Sequence, residues 1–231
     1  MELRRKLGAD VATAVSACAA CGAPAPTPFR APPAEQAPDL DLRPGEPTRS
    51  TLPRWIITCR NCGAAAPDLA ALPQDAAEIV RSDAYRALEA PRAARPFLRW
   101  AMLCRAAGQT HLAAEATLQA AWALDDADDP DAARLRRAAA AEWGAPDSPE
   151  SALRLIDVLR RAGEFGSAAA VEPPGMDENS ARILAFQRDR IAARDTGRHL
   201  ISAALRPPAR TPHVTHGRRS EGGFWRRIFG G

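Results

Sequence analysis

Lysine is almost missing from this chain. Of 31 basic residues only Lys6 is lysine, and the rest are arginine. With so much alanine and proline alongside, the imbalance reads as a coding bias, so single arginines are not phosphate clamps on composition alone. Aromatic residues make up only 5%. A chain poor in aromatic and β-branched residues and rich in alanine favours helix over sheet. No stretch approaches the roughly 20 apolar residues that span a bilayer. There is no G-x-G-x-x-G, Walker loop, G-x-S-x-G or H-E-x-x-H, so the familiar nucleotide, acyl-transfer and metalloprotease signatures are excluded.

Cysteine is also scarce, at five residues, but four of them are arranged. Cys18-Ala19-Ala20-Cys21-Gly22 and Cys59-Arg60-Asn61-Cys62-Gly63 are both C-x-x-C-G. A C-x-x-C turn aims two sulfurs at one point, and the following glycine permits the positive φ that closes the turn. Two such turns supply the tetrahedral set that Zn²⁺ prefers. Cys18, Cys21, Cys59 and Cys62 are therefore the expected ligands of one structural zinc. Four cysteines close the shell and leave no open position for catalysis. A redox role is disfavoured because no βαβ pattern surrounds either pair. A disulfide scaffold does not suit this pattern in a 231-residue chain, which points to a reducing, cytoplasmic compartment. Val15-Ser16-Ala17-Cys18 has the look of a lipoprotein cleavage site. Gly8 and Asp10 weaken the run before it, and acylating Cys18 would waste the first knuckle.

The net charge of +3 is unevenly placed. From Arg206 onward six arginines face one acid, Glu221, so the tail carries +5 and the rest carries −2. Only the tail is basic, which argues against a nucleic-acid platform in the body. Three regions follow: a zinc-ribbon-like module at 1–70, a helical domain at 72–205 and a basic, disordered tail at 206–231. Within the first, residues 24–53 hold nine prolines and one aromatic, Phe29. That composition predicts an extended, mobile insertion that builds no core. Trp55-Ile56-Ile57-Thr58 reads as a strand entering the second knuckle.

Helical signals then run in succession. Pro73 opens a segment in which Glu78 to Glu89 is helical, with Ile79, Ala84 and Leu88 available for burial. Pro96 to Ala107 carries a stripe of Phe97, Trp100, Ala101 and Cys104 and stops at Gly108. Thr110 is positioned to cap a helix with Ala113, Ala116, Ala120 and Leu124 on its narrow face. Asp129-Pro130 starts a helix that ends at Trp143-Gly144, and Ser148-Pro149 starts another that ends at Gly163. Asp177 or Asn179 caps a further one through Ile191. Cys104-x-x-x-Gly108-x-x-x-x-Ala113 repeats as Leu159-x-x-x-Gly163-x-x-x-x-Ala168. This spacing suits tetratricopeptide (TPR)-like helix pairs, in which glycine closes one helix and a small residue lets the next approach. The two glycines lie too far apart for strict tandem repeats, so the expectation is a mainly α, TPR-like antiparallel helical array.

On these residues the chain resembles a bacterial family known as a domain of unknown function, with paired C-x-x-C knuckles, a variable insertion and TPR-like helices. The two knuckles, Trp100 to Gly108, Leu118-Gln119-Ala120-Ala121-Trp122 and Leu159 to Phe165 carry the resemblance. It implies zinc binding and a helical body over roughly residues 18–200, and no activity. The proline-rich insertion has no counterpart in it.

The remaining candidates have structural readings. Cys104 belongs to an apolar stripe and not to the metal. Trp100, Trp122 and Trp143 fall once per helix, as core wedges do. Asp125, Asp126, Asp128 and Asp129 precede Pro130 and read as cap and dipole complement, without the glycine and distal glutamate of an EF-hand. His213 and His216 stand alone in the tail, and His111 and His199 are isolated. Phe224-Trp225-Arg226-Arg227-Ile228-Phe229 leaves three fates open: docking to a protein or to the chain itself, a weak membrane touch too short for stable anchoring, or none. The expected function is that of a non-catalytic, zinc-binding adaptor that uses its helices to meet a protein partner. The alternative is a nucleic-acid-associated ribbon aided by the arginine tail. Neither the partner nor the oligomeric state is legible.

Overall fold

The computed structural model describes residues 16–205. Val15, the basic tail, His213, His216 and the Phe224–Phe229 segment lie outside the described residues. The described chain is mainly helical. A 3-10 helix at Arg49–Arg54 leads to a two-stranded antiparallel ribbon, β1 (Ile57–Thr58) and β2 (Ala65–Ala66). Nine α-helices follow: α1 (Ala76–Arg81), α2 (Asp83–Arg86), α3 (Arg95–Ala106), α4 (Thr110–Asp125), α5 (Asp131–Trp143), α6 (Pro149–Arg161), α7 (Phe165–Ala170), α8 (Glu178–Ala192) and α9 (Ile201–Ala204). No helix among the described residues is long and apolar enough to cross a membrane.

Several helix ends obey local chemistry. Ser148 caps α6 through a reciprocal box with Ser151, and Asp177 caps α8 by accepting from the Ser180 N–H at 2.7 Å. Gly108 and Gly163 both take positive φ, at 72° and 79°. Around each, the next residue's N–H reaches back to the carbonyl five residues earlier: Gln109 to Cys104 and Glu164 to Leu159, at 2.8 and 2.9 Å. The repeated glycine spacing therefore marks two equivalent helix ends.

Three local expectations shift. The helix expected over Glu78–Glu89 is split at Ser82, whose extended backbone ends α1 and whose hydroxyl accepts from the Tyr85 N–H to start α2. The buried residues become Ala76, Val80 and Tyr85, and Ala84 is exposed. Thr110 is the first residue of α4 and makes no cap. Pro130 occupies the N-cap of α5, while Asp129 Oδ1 still accepts from the Asp131 N–H at 3.0 Å.

Helix α4 sits at the centre, packed against α3 on one side and α5 on another. Its predicted face of Ala113, Ala116, Ala120 and Leu124 is buried, and so are Thr117, Leu118, Ala121 and Trp122. The extra coverage of Trp122 comes in part from the proline-rich stretch, which the composition rule misjudged. Leu40, Asp41, Arg43 and Leu52 are each no more than 3% exposed. Trp55 meets Trp122 edge-on, with ring centres 6.5 Å apart. The chain at Pro38–Leu40 also pairs with the C-terminal end of the helical body: the Leu40 N–H donates to His199 O and the Ile201 N–H to Pro38 O, both at 3.0 Å. A segment with few apolar side chains is thus fixed by partners that its own composition does not reveal.

Candidate metal centre

The two knuckles are built alike. In the first, an isolated bridge joins Ala17 to Pro24, and the Cys18 N–H donates to Ala23 O at 2.8 Å. In the second, β1 pairs with β2, and the Cys59 N–H donates to Ala64 O at 2.8 Å. The Gly22 and Gly63 N–H groups close the turns onto Cys18 O and Cys59 O at 2.8 and 2.9 Å. Both glycines take the left-handed conformation, φ 72° and 77°, which a side chain would strain. Each hairpin is too short to be stable alone.

The knuckles bring the four sulfurs Cys18, Cys21, Cys59 and Cys62 within 4.8 Å of one another. Two of these separations are 3.9 Å (Cys18 to Cys62) and 3.7 Å (Cys21 to Cys59). A tetrahedron with sulfur about 2.3 Å from its centre has edges of about 3.8 Å. The donor set therefore fits a four-coordinate metal ion. Cys18 and Cys59 are buried, Cys62 is half-buried and Cys21 is exposed.

Electrostatics supports the same use. Burial pushes the Cys62 thiol up to about 12 and raises Cys18 as well. Cys21 goes the other way, to about 6, through hydrogen bonding from the Asn61 side chain and the Ala23 backbone. Four thiolates this close repel one another, and a divalent cation is what lets all of them ionise together.

Behind the second knuckle stands Tyr85, a residue that the sequence reading left unassigned. Its hydroxyl accepts from the Ala65 N–H at 3.1 Å and donates to Gly63 O at 3.3 Å. Burial raises that hydroxyl to about 12, so it remains a donor. Arg99 lies over the Tyr85 ring at 5.4 Å, bringing positive charge beside a site whose ligands carry negative charge. Such supporting contacts hold a ligand turn in shape. The only early sign of them was a lone tyrosine downstream of the knuckles.

The other candidates separate from the centre. Cys104 is fully buried against Ala101, Ala113 and Ala116, and burial raises its thiol to about 11. His111 is an exposed side chain on α4. The aspartates before Pro130 divide. Asp129 caps as described, whereas Asp125 binds Arg136 at 2.5 Å and Arg161 at 2.8 Å. Asp126 binds Arg43 at 2.5 Å. Trp122 is a core residue that also donates its indole N–H to Asp41 at 2.9 Å.

Those contacts belong to a second polar centre, which residue spacing did not indicate. Asp41 is fully buried and receives Arg161 at 2.8 Å and Arg136 at 3.6 Å. Three carboxylates (Asp41, Asp125, Asp126) there meet three guanidiniums (Arg43, Arg136, Arg161). Burial pushes Asp41 up, but Arg161, Arg136 and the Trp122 hydrogen bond outweigh it and hold the carboxyl below its ordinary range. Asp125 behaves in the same way, with Arg136 as its main partner. The balanced charges mark this centre as a structural joint.

No family model, curated protein or solved structure matches this chain.

Proposed function

We propose that the protein is a non-catalytic, zinc-binding adaptor. In this reading the four cysteines hold one structural Zn²⁺, which fixes the ribbon-like module. The TPR-like helices that follow present a surface to a protein partner. The observation that carries the metal half is the convergence of the four sulfurs, all within 4.8 Å of one another. All-sulfur coordination favours zinc among the common divalent ions, and a closed shell leaves it no substrate position. The ligands Cys18, Cys21, Cys59 and Cys62 would orient the ion, and Tyr85 would hold the second turn. When bound, the ion supplies cross-linking and charge balance.

Support for the adaptor half comes from the helices. The α3–α4 and α6–α7 pairs share the same glycine-closed end and a buried alanine, Ala113 or Ala168, at the same place after it. Consecutive helices pack on their neighbours, as in helical arrays.

Metal analysis of the purified full chain tests the first half. One zinc per chain, lost in Cys62→Ser, is expected; a metal-free wild-type protein overturns it. Affinity capture with the full chain tests the second. A saturable partner whose binding survives high salt is expected, and a bait that retains no protein overturns the adaptor role.

A further inference from the structure

The four cysteines of the metal centre differ in what covers them. Cys18 and Cys59 are 1% and 4% exposed and sit in an apolar cluster with Leu69, Val80 and Leu103. Cys62 is half-buried against the same cluster. Cys21 is the one exposed cysteine of the five. The two turns are also covered unequally. At Gly63 a guanidinium nitrogen of Arg99 lies 3.5 Å from where a Cβ would stand, and the Tyr85 hydroxyl donates to Gly63 O. At Gly22, directly after Cys21, no atom beyond the chain neighbours lies within 4 Å of that position. The centre therefore has a covered side at the second knuckle and an open side at Cys21.

The open sulfur also has a close partner across the centre. Cys21 Sγ lies 3.7 Å from Cys59 Sγ, on the other knuckle. Exposure and proximity thus meet in a pair drawn from both turns and not within either C-x-x-C. A cysteine that ligates a metal is a thiolate, and an accessible thiolate is what peroxides oxidise.

We propose that Cys21 is the site at which hydroperoxides modify this protein, with Cys59 as the resolving cysteine. This deepens the zinc reading and rests on it. Cys21 Sγ attacks the terminal oxygen of the hydroperoxide. The O–O bond breaks, the leaving alkoxide or hydroxide takes a proton, and Cys21 becomes a sulfenic acid. Cys59 Sγ then attacks Cys21 Sγ. The S–O bond breaks, and the departing hydroxide takes a second proton and leaves as water. The two sulfurs lose two electrons, and the peroxide gains them. The Cys21–Cys59 bond withdraws two of the four ligands, and Cys18 and Cys62 alone no longer close a shell. A thiol reductant reverses the bond by exchange.

Hydrogen peroxide treatment of the zinc-loaded full chain tests this. Zinc release is read with a chromophoric chelator, and disulfides are read by non-reducing peptide mapping. One zinc released and one Cys21–Cys59 bond per chain are expected, and a thiol reductant with added zinc should restore the starting state. Dimedone, which traps sulfenic acids, should label Cys21 before any other cysteine. Cys21→His keeps a zinc ligand that cannot become a sulfenic acid, and it should slow release by about tenfold or more. Cys62→His should stay within about threefold of wild type. The dimedone label reads the same point in wild type, whatever metal the variants retain. Zinc that survives peroxide, first labelling at another cysteine, or a Cys18–Cys62 bond in place of Cys21–Cys59 overturns the inference. A chain that holds no zinc yet forms the Cys21–Cys59 bond would fault the zinc reading and leave the modification site standing.

Discussion

The cysteine cluster ties residue 18 to residue 62, and the Asp39–Arg43 turn ties residue 41 to residue 161. Both close long stretches of chain, and both gather charge into a small volume. They differ in what balances that charge. The cysteine site gathers four acidic ligands of one kind, pairs none of them with a cation among the described residues, and could hold a metal ion. The aspartate–arginine joint carries its own counter-charges and is complete as it stands. One is a socket and the other a finished weld. The contrast shows why only the first implies a cofactor, although both are clusters of ionisable groups.

Removing metal should separate the two most sharply. Structural zinc sites supply on the order of 10 kcal/mol to folding. Chelation, or Cys62→Ser, should unfold the two knuckles around 17–24 and 57–66 and leave the Asp39–Arg43 turn and α4–α6 in place. Circular dichroism together with proteolysis would show cleavage confined to the N-terminal region. Equal loss of the α4–α6 core would mean that the two regions fold as one unit.

Breaking the weld should come next in size. Asp41→Asn leaves Arg136 and Arg161 short of a buried counter-charge, at a cost of about 3–5 kcal/mol. Asp131→Asn, which breaks an exposed pair with Arg134, should cost less than about 1 kcal/mol. Urea unfolding of the two variants reads the difference, and similar midpoints would deny the buried joint its role.

Acid titration sharpens the comparison further, because the buried carboxylates have opposite signs. Asp41 and Asp125 have lowered folded values, so their contribution is complete above about 4 and is lost as pH falls below it. Asp157 is raised to about 6 by burial, which Arg160 offsets only in part, and its Oδ2 has no partner. Its folded state favours the proton, so stability should decline as pH rises from about 4 to 6, by on the order of 2 kcal/mol. Asp157→Asn should flatten that window without altering the loss below pH 4. An unchanged slope between 4 and 6 would contradict the assignment.

The smallest effect concerns support of the socket. Tyr85→Phe removes one donor and one acceptor from the second knuckle and should cost about 1 kcal/mol. Zinc release to a chelator should quicken by about tenfold. An unchanged release rate would make Tyr85 a packing residue only.

The two regions also differ in how far they could be read from sequence. The knuckles were legible because their chemistry is local: Cys, Cys and Gly at fixed spacing dictate each turn, and only the meeting of the two turns is tertiary. The capped and glycine-ended helices were legible for the same reason, down to Ser148, Asp177, Gly108 and Gly163. The weld was not. Asp41 finds Trp122, Arg136 and Arg161 through packing of four separate segments, and no spacing connects them. In a sequence where nearly every basic residue is arginine, the few that are buried carry no distinguishing mark. Proline content also misled, because it reports what a segment cannot bury by itself and is silent on ion pairs received from elsewhere. Tyr85 was missed because Ser82 breaks the expected helix and turns that side chain inward.

The central claim is that Cys18, Cys21, Cys59 and Cys62 together form one closed zinc shell. X-ray absorption at the zinc edge of the purified full chain tests it directly. Four sulfur ligands at about 2.3 Å are predicted, with no oxygen or nitrogen in the shell. A shell containing oxygen or nitrogen, or fewer than four sulfurs, would contradict the account.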